Sequence, residues 1–177
     1  MTIFTMNEIA QIVGGTILQG DTSRTIEKFS TNSKEGDNST LFVPIIGERV
    51  DAHDYIHNAY ENGMRCTFTM RDYVEAATKE MTYIRVDQSV AALQRLGAYY
   101  RDKFPNLPLI GITGSVGKTS TKEMIASVLS QKYKVLKTEG NFNNEIGLPL
   151  TVFQIQEDHE VAVLEMGINH FEEMHRL

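Results

Sequence analysis

The N-terminal part of the chain alternates short apolar runs with polar turns. Thr5 and Glu8 have capping-box spacing at the start of an apolar helical stretch, which a Gly-Gly pair ends. The runs RCTFTM (65–70) and MTYIRV (81–86) are short and rich in β-branched or aromatic residues, as is typical of strands. We therefore predict a small α/β domain over residues 1–85.

A third apolar run in this part, LFVPII (41–46), contains Pro44. Proline has no backbone N–H to donate to a neighbouring strand, so it is rare in the centre of a sheet. The run therefore predicts a strand at the edge of its sheet.

Beyond residue 85 the elements are longer and alternate regularly between strand and helix. The strands are predicted at PLIGIT (108–113), YKVLKT (133–138) and EVAVLEM (160–166), and the last is almost continuously apolar. Such a run is typical of a strand that is buried on both faces of a parallel sheet. The alternation predicts the start of a doubly wound parallel-sheet domain over residues 86–177.

A sheet of about three strands leaves apolar edges and faces uncovered. Either a partner covers them or the chain is the front part of a longer protein. The helix after the first of these strands is predicted to pack on the sheet through its apolar residues. These are Met124, Ile125, Val128 and Leu129.

Composition narrows the class of protein further. The chain is 41% hydrophobic and 23% charged, which predicts a buried core, and its net charge of −6 argues against a nucleic-acid partner. No apolar run approaches the roughly 18 residues of a membrane span, and the N-terminus does not resemble a signal peptide. We expect a soluble cytoplasmic protein in which the single cysteine, Cys66, is a small buried apolar residue.

The stretch TGSVGKTST (113–121) has the features of a phosphate-binding loop. Small residues let the backbone curl around a phosphate, a helix begins there, and Lys118 is followed by the hydroxyl of Thr119. The usual P-loop also has glycine where this chain has Ile112. The alternative is a glycine-rich turn between a strand and a helix, but the lysine–hydroxyl pair favours a variant phosphate loop. The predicted phosphate-binding residues are Gly114, Ser115, Val116, Gly117, Lys118, Thr119 and Ser120.

Two further stretches are candidates for the same site. Glu165 ends an apolar strand, where phosphate-loop enzymes place a metal-binding carboxylate, although an ordinary solvated carboxylate is equally compatible with the position. GNFNNEIGLP (140–149) is rich in Asn and Gly and is first of all a structured turn. Because it follows the next strand, it could also lie over a bound nucleotide.

Together these stretches resemble the Mur ligase family, in which TG[ST]xGK[TS], GNxN and a strand ending in Glu follow in the same order. The family's phosphate loop lacks the early glycine too. The motifs GNFNNEIG (140–147) and EMGINH (165–170) are most similar to the members that use D-alanyl-D-alanine. The N-terminal stretch STNSKEGDNSTLFVPIIGERVDAHDYI (30–56) is similar to the family's nucleotide-sugar domain, so the resemblance covers nearly the whole chain.

The resemblance implies an ATP- and Mg²⁺-dependent carbon–nitrogen ligase of peptidoglycan precursor synthesis. Its substrates would be UDP-N-acetylmuramoyl-tripeptide and D-alanyl-D-alanine, joined through an acyl phosphate. Lys118, Asn141 and Glu165 would be catalytic, and Thr119 and Glu165 would hold the metal ion.

The resemblance also implies a binding site for the uridine diphosphate end of the substrate. The candidate residues are Ser33, Lys34, Gly47, Arg49, Asp51 and His53. Taken without the resemblance, Arg49 and Asp51 could instead form a surface ion pair, and His53 could be a capping or core residue. Lys34 stands where the family has arginine, and a lysine ammonium cannot reproduce the planar fork of a guanidinium.

Several expectations concern the whole protein. Family members carry later segments that this sequence does not include, so we expect an N-terminal portion that is inactive alone, from a protein that is monomeric at full length. Alternatives are a Mur-type ligase that adds a single amino acid, a different phosphate-loop protein such as a kinase or nucleotide switch, and a non-catalytic UDP-sugar binder. The spacing of His170 and His175 is not that of a zinc-binding helix.

Overall fold

The computed structural model describes residues 4–168, and the contacts within the chain divide it into two compact units. Of the described residues, 4–96 form the first unit and 97–168 the second. The division lies eleven residues after the predicted domain boundary (96 − 85) and falls inside a helix, Ser89–Asp102. His170 and His175 lie outside the described residues.

The first unit is built on a five-stranded sheet with the order β2-β7-β6-β5-β4. Its strands run parallel except for β2, which is antiparallel to β7, and β1 forms a separate antiparallel pair with β3. The elements are β1 (Phe4–Thr5), α1 (Met6–Val13), β2 (Thr16–Gln19), β3 (Thr25–Ile26), β4 (Lys28–Ser30), β5 (Thr40–Phe42), α2 (Ile56–Glu61), β6 (Cys66–Thr69) and β7 (Thr82–Arg85), with 3₁₀ turns at Ala52–Tyr55 and Ala76–Thr78.

Two local predictions for the first unit are confirmed. The Glu8 N–H donates to the Thr5 hydroxyl and the Thr5 N–H donates to the Glu8 carboxylate, so helix α1 begins with the predicted capping box. Cys66 is fully buried, and burial raises the pKa of its thiol to about 12. The edge position predicted from Pro44 is wrong. Strand β5 pairs on both sides, with β4 and β6, and it ends at Phe42, before the missing N–H of the proline would be needed.

The second unit has a smaller sheet of three parallel strands. Helix α3 (Ser89–Asp102) begins in the first unit and belongs to the second from residue 97 onward. The other elements are β8 (Leu109–Ile112), α4 (Lys118–Leu129), β9 (Val135–Lys137), α5 (Gly147–Val152) and β10 (Val161–Glu165). The strand order is β8-β10-β9, and all five residues of the central strand β10 are buried. This confirms the α/β class with parallel sheets and the continuously apolar strand.

The face of helix α4 that packs on this sheet differs from the prediction. Met124 and Val128 were predicted to face inward but are 64% and 71% exposed, whereas Ile125 and Leu129, predicted with them, are half-buried and Lys122 and Ala126 are buried. Apolar spacing misassigned half of the face, because the buried lysine has polar partners at Thr138 and Glu165. None of the helices between residues 4 and 168 is long and apolar enough to cross a membrane.

Candidate functional site

The glycine-rich stretch forms the connection between strand β8 and helix α4. Gly114 and Gly117 have φ angles of 146° and 80°, a region that favours glycine, and Gly117 is the N-cap residue of the helix. No side chain caps the first N–H groups of α4. Uncapped N–H groups at a helix N-terminus form an anion-binding site, so this loop has the geometry of a phosphate cradle.

The side chains of this loop are arranged for the same purpose. The Lys118 ammonium donates to the carbonyl oxygen of Gly114 at 2.7 Å, so it lies back across the loop. Val116 is 87% exposed, which leaves phosphate binding to the backbone at that position. The loop thus combines an uncapped helix N-terminus with one ammonium group, and its binding of phosphate stays a prediction.

Glu165, at the end of strand β10, lies directly behind this loop. Its side chain is buried, and its Oε1 atom accepts hydrogen bonds from the Thr119 hydroxyl at 3.3 Å and from the Asn143 amide at 2.8 Å. Its Oε2 atom is buried and has no hydrogen-bond partner among the described residues. The position therefore excludes the solvated carboxylate that the sequence left open.

An unsatisfied buried carboxylate oxygen costs free energy unless a ligand completes its surroundings. Mg²⁺ prefers hard oxygen ligands and usually takes only one or two carboxylates from a protein. The Glu165 carboxylate and the adjacent Thr119 hydroxyl are such ligands. The two predicted metal ligands thus lie together, and the open oxygen fits a bound cation.

Lys122 is a member of this cluster that the sequence analysis missed. Its side chain is 1% exposed, and its Nζ atom donates to the carbonyl oxygen of Thr138 at 2.7 Å and lies 3.9 Å from Oε2 of Glu165. Lysines in helices are ordinarily exposed, so composition gives no warning of this burial. The only signal in the sequence is its position four residues after Lys118, on the same helix face.

The asparagine-rich stretch reaches Glu165 through a residue that was not among the predicted site residues. Asn143, rather than Asn141, contacts Glu165, and the Asn143 carbonyl oxygen accepts from the Gly167 N–H at 2.7 Å. Asn141 is exposed, and its carbonyl oxygen accepts from the Asn143 N–H at 2.8 Å. The stretch is therefore a structured loop that reaches the acidic centre, and a direct catalytic contact by Asn141 remains a prediction.

Asn144 and Gly147 fix the end of this loop. The Asn144 side-chain oxygen accepts from the N–H groups of Ile146 and Gly147, at the start of helix α5. A Cβ atom on Gly147 would lie 2.4 Å from Cα of Phe142, so only glycine fits this approach. These contacts hold Asn143 in place beside Glu165.

In the first unit, three of the predicted substrate residues lie on one short loop. Ile46 and Asp51 form an isolated β-bridge, and the Gly47 N–H donates to the Val50 carbonyl oxygen at 2.9 Å. Gly47 and Arg49 are exposed. This hairpin-like loop presents them to solvent.

Ser33 and Lys34 follow strand β4. The Lys34 N–H donates to the Asn32 side chain at 3.0 Å, which forms a local turn. Lys34 is exposed and Ser33 is partly buried.

Asp51 and His53 hold the base of the loop that carries Arg49. Asp51 Oδ1 accepts from the His53 N–H at 2.9 Å and lies 2.6 Å from Nδ1 of the ring, and Oδ2 pairs with Arg71 at 3.1 Å. Partial burial by itself would raise the pKa of Asp51, but the hydrogen bonds from His53 and Arg71 lower it. Asp51 therefore pairs with Arg71 and not with Arg49.

His53 is completely buried, and both of its ring nitrogens are used. Nε2 accepts from the Met70 N–H at 3.0 Å, which places the ring proton on Nδ1, facing Asp51. No ring nitrogen is free to contact a substrate in this arrangement. His53 thus matches the alternative of a core residue, which supports the loop through Asp51.

The parallel sheet, the glycine loop and the lysine at the helix start define a nucleotide-binding α/β protein of the phosphate-loop class. The Mur ligase middle domain matches residues 112–177. UDP-N-acetylmuramoyl-tripeptide–D-alanyl-D-alanine ligase of Bacillus subtilis is 41% identical over 166 residues, which are 93% of this chain and 36% of the relative. The corresponding ligase of Treponema pallidum is 37% identical over 95% of this chain and 38% of its own length.

Solved structures agree with these relatives. A crystal structure of MurF from Acinetobacter baumannii has a TM-score of 0.91 and 32% identity, covering 99% of this chain and 38% of that protein. MurF ligase from Thermotoga maritima in complex with ADP has a TM-score of 0.71 and 36% identity, covering 84% of this chain and 34% of that protein. The chain is similar to these Mur ligases over more than four fifths of its own length, and it spans less than two fifths of the length of these relatives.

Proposed function

We propose that this chain is the nucleotide-sugar-binding and phosphate-loop part of a ligase that joins UDP-N-acetylmuramoyl-tripeptide to D-alanyl-D-alanine, in peptidoglycan precursor synthesis in the cytoplasm. The observation that carries the proposal is the buried Glu165 carboxylate, with one open oxygen, behind a glycine loop and Lys118. A buried anion at this position is suited to a metal–nucleotide complex. The similarity to ligases of this name supports the substrates.

The chemistry requires activation because a carboxylate is a poor electrophile at neutral pH. Transfer of the γ-phosphoryl group of ATP to the terminal carboxylate of the tripeptide forms an acyl phosphate and releases ADP. The amine of the dipeptide then attacks the acyl carbon, the C–O bond to phosphate breaks, and inorganic phosphate leaves as the amine loses a proton. Transfer of this kind depends mainly on positioning and charge neutralisation.

The residues of the second unit have distinct roles in this proposal. The backbone N–H groups of residues 114–120 bind the β- and γ-phosphates, and Lys118 neutralises charge on the γ-phosphate. Thr119 and Glu165 would hold Mg²⁺, which supplies further neutralisation of the phosphates when bound. Asn143 orients the Glu165 carboxylate. Asn141 is proposed to contact the γ-phosphate region from the exposed side of its loop.

The first unit is proposed to bind the uridine diphosphate end of the substrate. Arg49 and Lys34 are exposed cations suited to a diphosphate, with Ser33 and the Gly47 backbone as hydrogen-bonding groups. Asp51 contributes chiefly by holding the loop, through His53 and Arg71. The whole ligase is proposed to be monomeric, and this chain alone is proposed to be inactive.

Calorimetric titration with ATP and Mg²⁺ tests the nucleotide site. The Lys118→Ala variant should lose detectable binding, because the site then has no mobile cation for the outer phosphates. Lys132→Ala, which removes an exposed lysine beyond the same helix, is the matched control and should bind like the unchanged chain. Equal affinity of Lys118→Ala and the control would refute the proposed site.

A second titration, with UDP-N-acetylmuramoyl-tripeptide, tests the first unit. Arg49→Ala should weaken binding, whereas Glu48→Ala, which changes the neighbouring exposed residue, should not. Substantial phosphate release by this chain with all three substrates would contradict its proposed inactivity.

A further inference from the structure

The ammonium of the buried Lys122 lies among a backbone carbonyl oxygen and two carboxylates. The side chain is 1% exposed, and its ammonium donates a hydrogen bond of 2.7 Å to the carbonyl oxygen of Thr138. Two carboxylates face it, Glu165 at 3.9 Å and Glu123 at 3.2 Å. A buried ammonium needs such counter-charges, because its removal from water is costly.

The two carboxylates are not equivalent. Glu123 is 49% exposed and also pairs with Lys137, so solvent and a second cation already balance its charge. Glu165 is 3% exposed, and its two hydrogen-bonding side-chain partners, Thr119 and Asn143, are neutral groups. Lys122 is therefore the cation that balances Glu165 in the described part of the chain.

The distance between Lys122 and Glu165 is decisive. At 3.9 Å from Oε2, the ammonium is near enough to stabilise the negative charge but too far to form a hydrogen bond. The neutral donors both contact Oε1, so Oε2 keeps its lone pairs free. The carboxylate is thus balanced and oriented while one oxygen remains open for a ligand.

We propose that Lys122 is a positioning residue that serves as the resident counter-charge of Glu165 and makes cation binding there depend on the nucleotide. This inference rests on the proposed function in taking Glu165 as the metal ligand. A free divalent cation entering the site meets the ammonium at close range and is repelled. The phosphates of a nucleotide bring the negative charge that offsets this repulsion, so the cation binds as its nucleotide complex.

Binding of Mn²⁺ without nucleotide, followed by electron paramagnetic resonance, tests the inference. Lys122→Met keeps the length of the side chain but removes the charge, and it should bind Mn²⁺ at least about tenfold more tightly than the unchanged chain, because a close like charge is gone. Lys137→Met removes a lysine that also contacts Glu123 and should leave the affinity unchanged. Lys122→Arg retains the charge and should show no gain.

A purely structural role for Lys122 would change stability without this gain in Mn²⁺ affinity. Equal Mn²⁺ affinity of Lys122→Met and the unchanged chain would therefore overturn the inference. The double variant Lys122→Met/Glu165→Gln should lose the gain, which places the bound ion at Glu165. If it keeps the gain, the inference is likewise wrong.

The folding and melting temperatures of the variants provide an independent test, which applies even if Lys122→Met does not fold. The double variant leaves no unbalanced charge, so it should recover folding and a higher melting temperature than Lys122→Met. Failure of both to fold would assign Lys122 to the Thr138 contact and refute the counter-charge. If the unchanged chain does not bind ATP with Mg²⁺, the proposed function fails, whereas the comparison of Mn²⁺ affinities still decides the inference.

Discussion

Each of the two units has a buried polar residue behind an exposed loop, but the two residues are satisfied to different degrees. In the first unit, both ring nitrogens of His53 have partners, Asp51 and Met70. In the second unit, Glu165 has hydrogen-bond partners in the described part of the chain on one carboxylate oxygen only. A fully satisfied buried group stabilises the loop in front of it, whereas an incompletely satisfied one marks a place where a ligand belongs.

The difference also shows that a site residue predicted from sequence similarity can have either of two roles: it can contact a ligand, or it can support the loop that does. His53 and Glu165 are both predicted site residues, yet only Glu165 has an atom available for a ligand. Residues such as His53 act through the loop that they hold. The contrast leads to four predictions, in order of decreasing effect on stability.

Replacing His53 by alanine should lower the free energy of unfolding by about 3 kcal/mol, because it leaves a cavity and two unpaired polar groups. Chemical denaturation followed by circular dichroism measures this change. His57→Ala is the control, since His57 lies nearby and its side chain is 47% exposed. We expect the control to change stability by less than about 0.5 kcal/mol. Similar values for both variants would show that His53 does not hold the loop.

A glycine in each candidate loop provides the second comparison. Gly147→Ala should destabilise the protein by about 2 kcal/mol, because the new Cβ atom would meet the backbone of Phe142 at 2.4 Å. Gly47→Ala should be nearly neutral, because its nearest contact, the Val50 carbonyl oxygen, lies at 3.5 Å. Melting temperatures of the two variants measure the difference, and a larger loss for Gly47→Ala would reverse our description of the loops.

Alanine substitutions of Asn141 and Asn143, in the loop beside Glu165, should differ by a smaller amount in their effect on the free energy of unfolding. Asn143→Ala removes a hydrogen bond to the buried Glu165 carboxylate and should cost about 1 kcal/mol. Asn141→Ala changes an exposed side chain and should cost close to nothing. Denaturation curves of both variants check this order. If Asn141→Ala proved the more destabilising, Glu165 would have a different partner from the one observed.

The smallest predicted effect is the loss of stability at acidic pH that is due to Asp51. The folded-state pKa of Asp51 is lowered, so its stabilisation is complete above the ordinary aspartate pKa of about 4 and is lost as the pH falls through the folded value. Stability of the unchanged chain should therefore fall below about pH 4 more steeply than that of Asp51→Asn. Equal slopes in this range, measured by denaturation at a series of pH values, would mean that Asp51 contributes nothing to the acid dependence.

Much of the second unit could be predicted from local patterns. The phosphate loop, the start of helix α4 near Lys118 and the buried strand that ends at Glu165 follow from residue types at fixed spacings, which depend on neighbours in the sequence. The inward face of α4 could not be predicted in this way. The burial of Lys122 depends on Thr138 and Glu165, which are distant in the sequence, so the helical pattern of apolar residues wrongly placed Met124 and Val128 on the buried face.

The roles of the polar site residues were the least predictable. Asn141 and Asn143 are two residues apart in one loop, and only the course of the backbone decides which amide reaches Glu165. For His53, the capping and core alternatives were visible in the sequence, but its second partner is the backbone of Met70, seventeen residues away. Almost any residue type could supply this backbone N–H, so the sequence gives no sign that residue 70 is the partner.

The strand order of the second unit has a consequence for how the acidic centre is assembled. The last strand of the described residues, β10, is the central one, and β8 and β9 do not pair with each other. Among the described residues, each outer strand therefore has β10 as its pairing partner in this sheet, and neither can pair there until β10 is in place. The strand that joins β8 to β9 is also the strand that carries Glu165 to Thr119, so pairing of the sheet and assembly of the acidic centre are coupled.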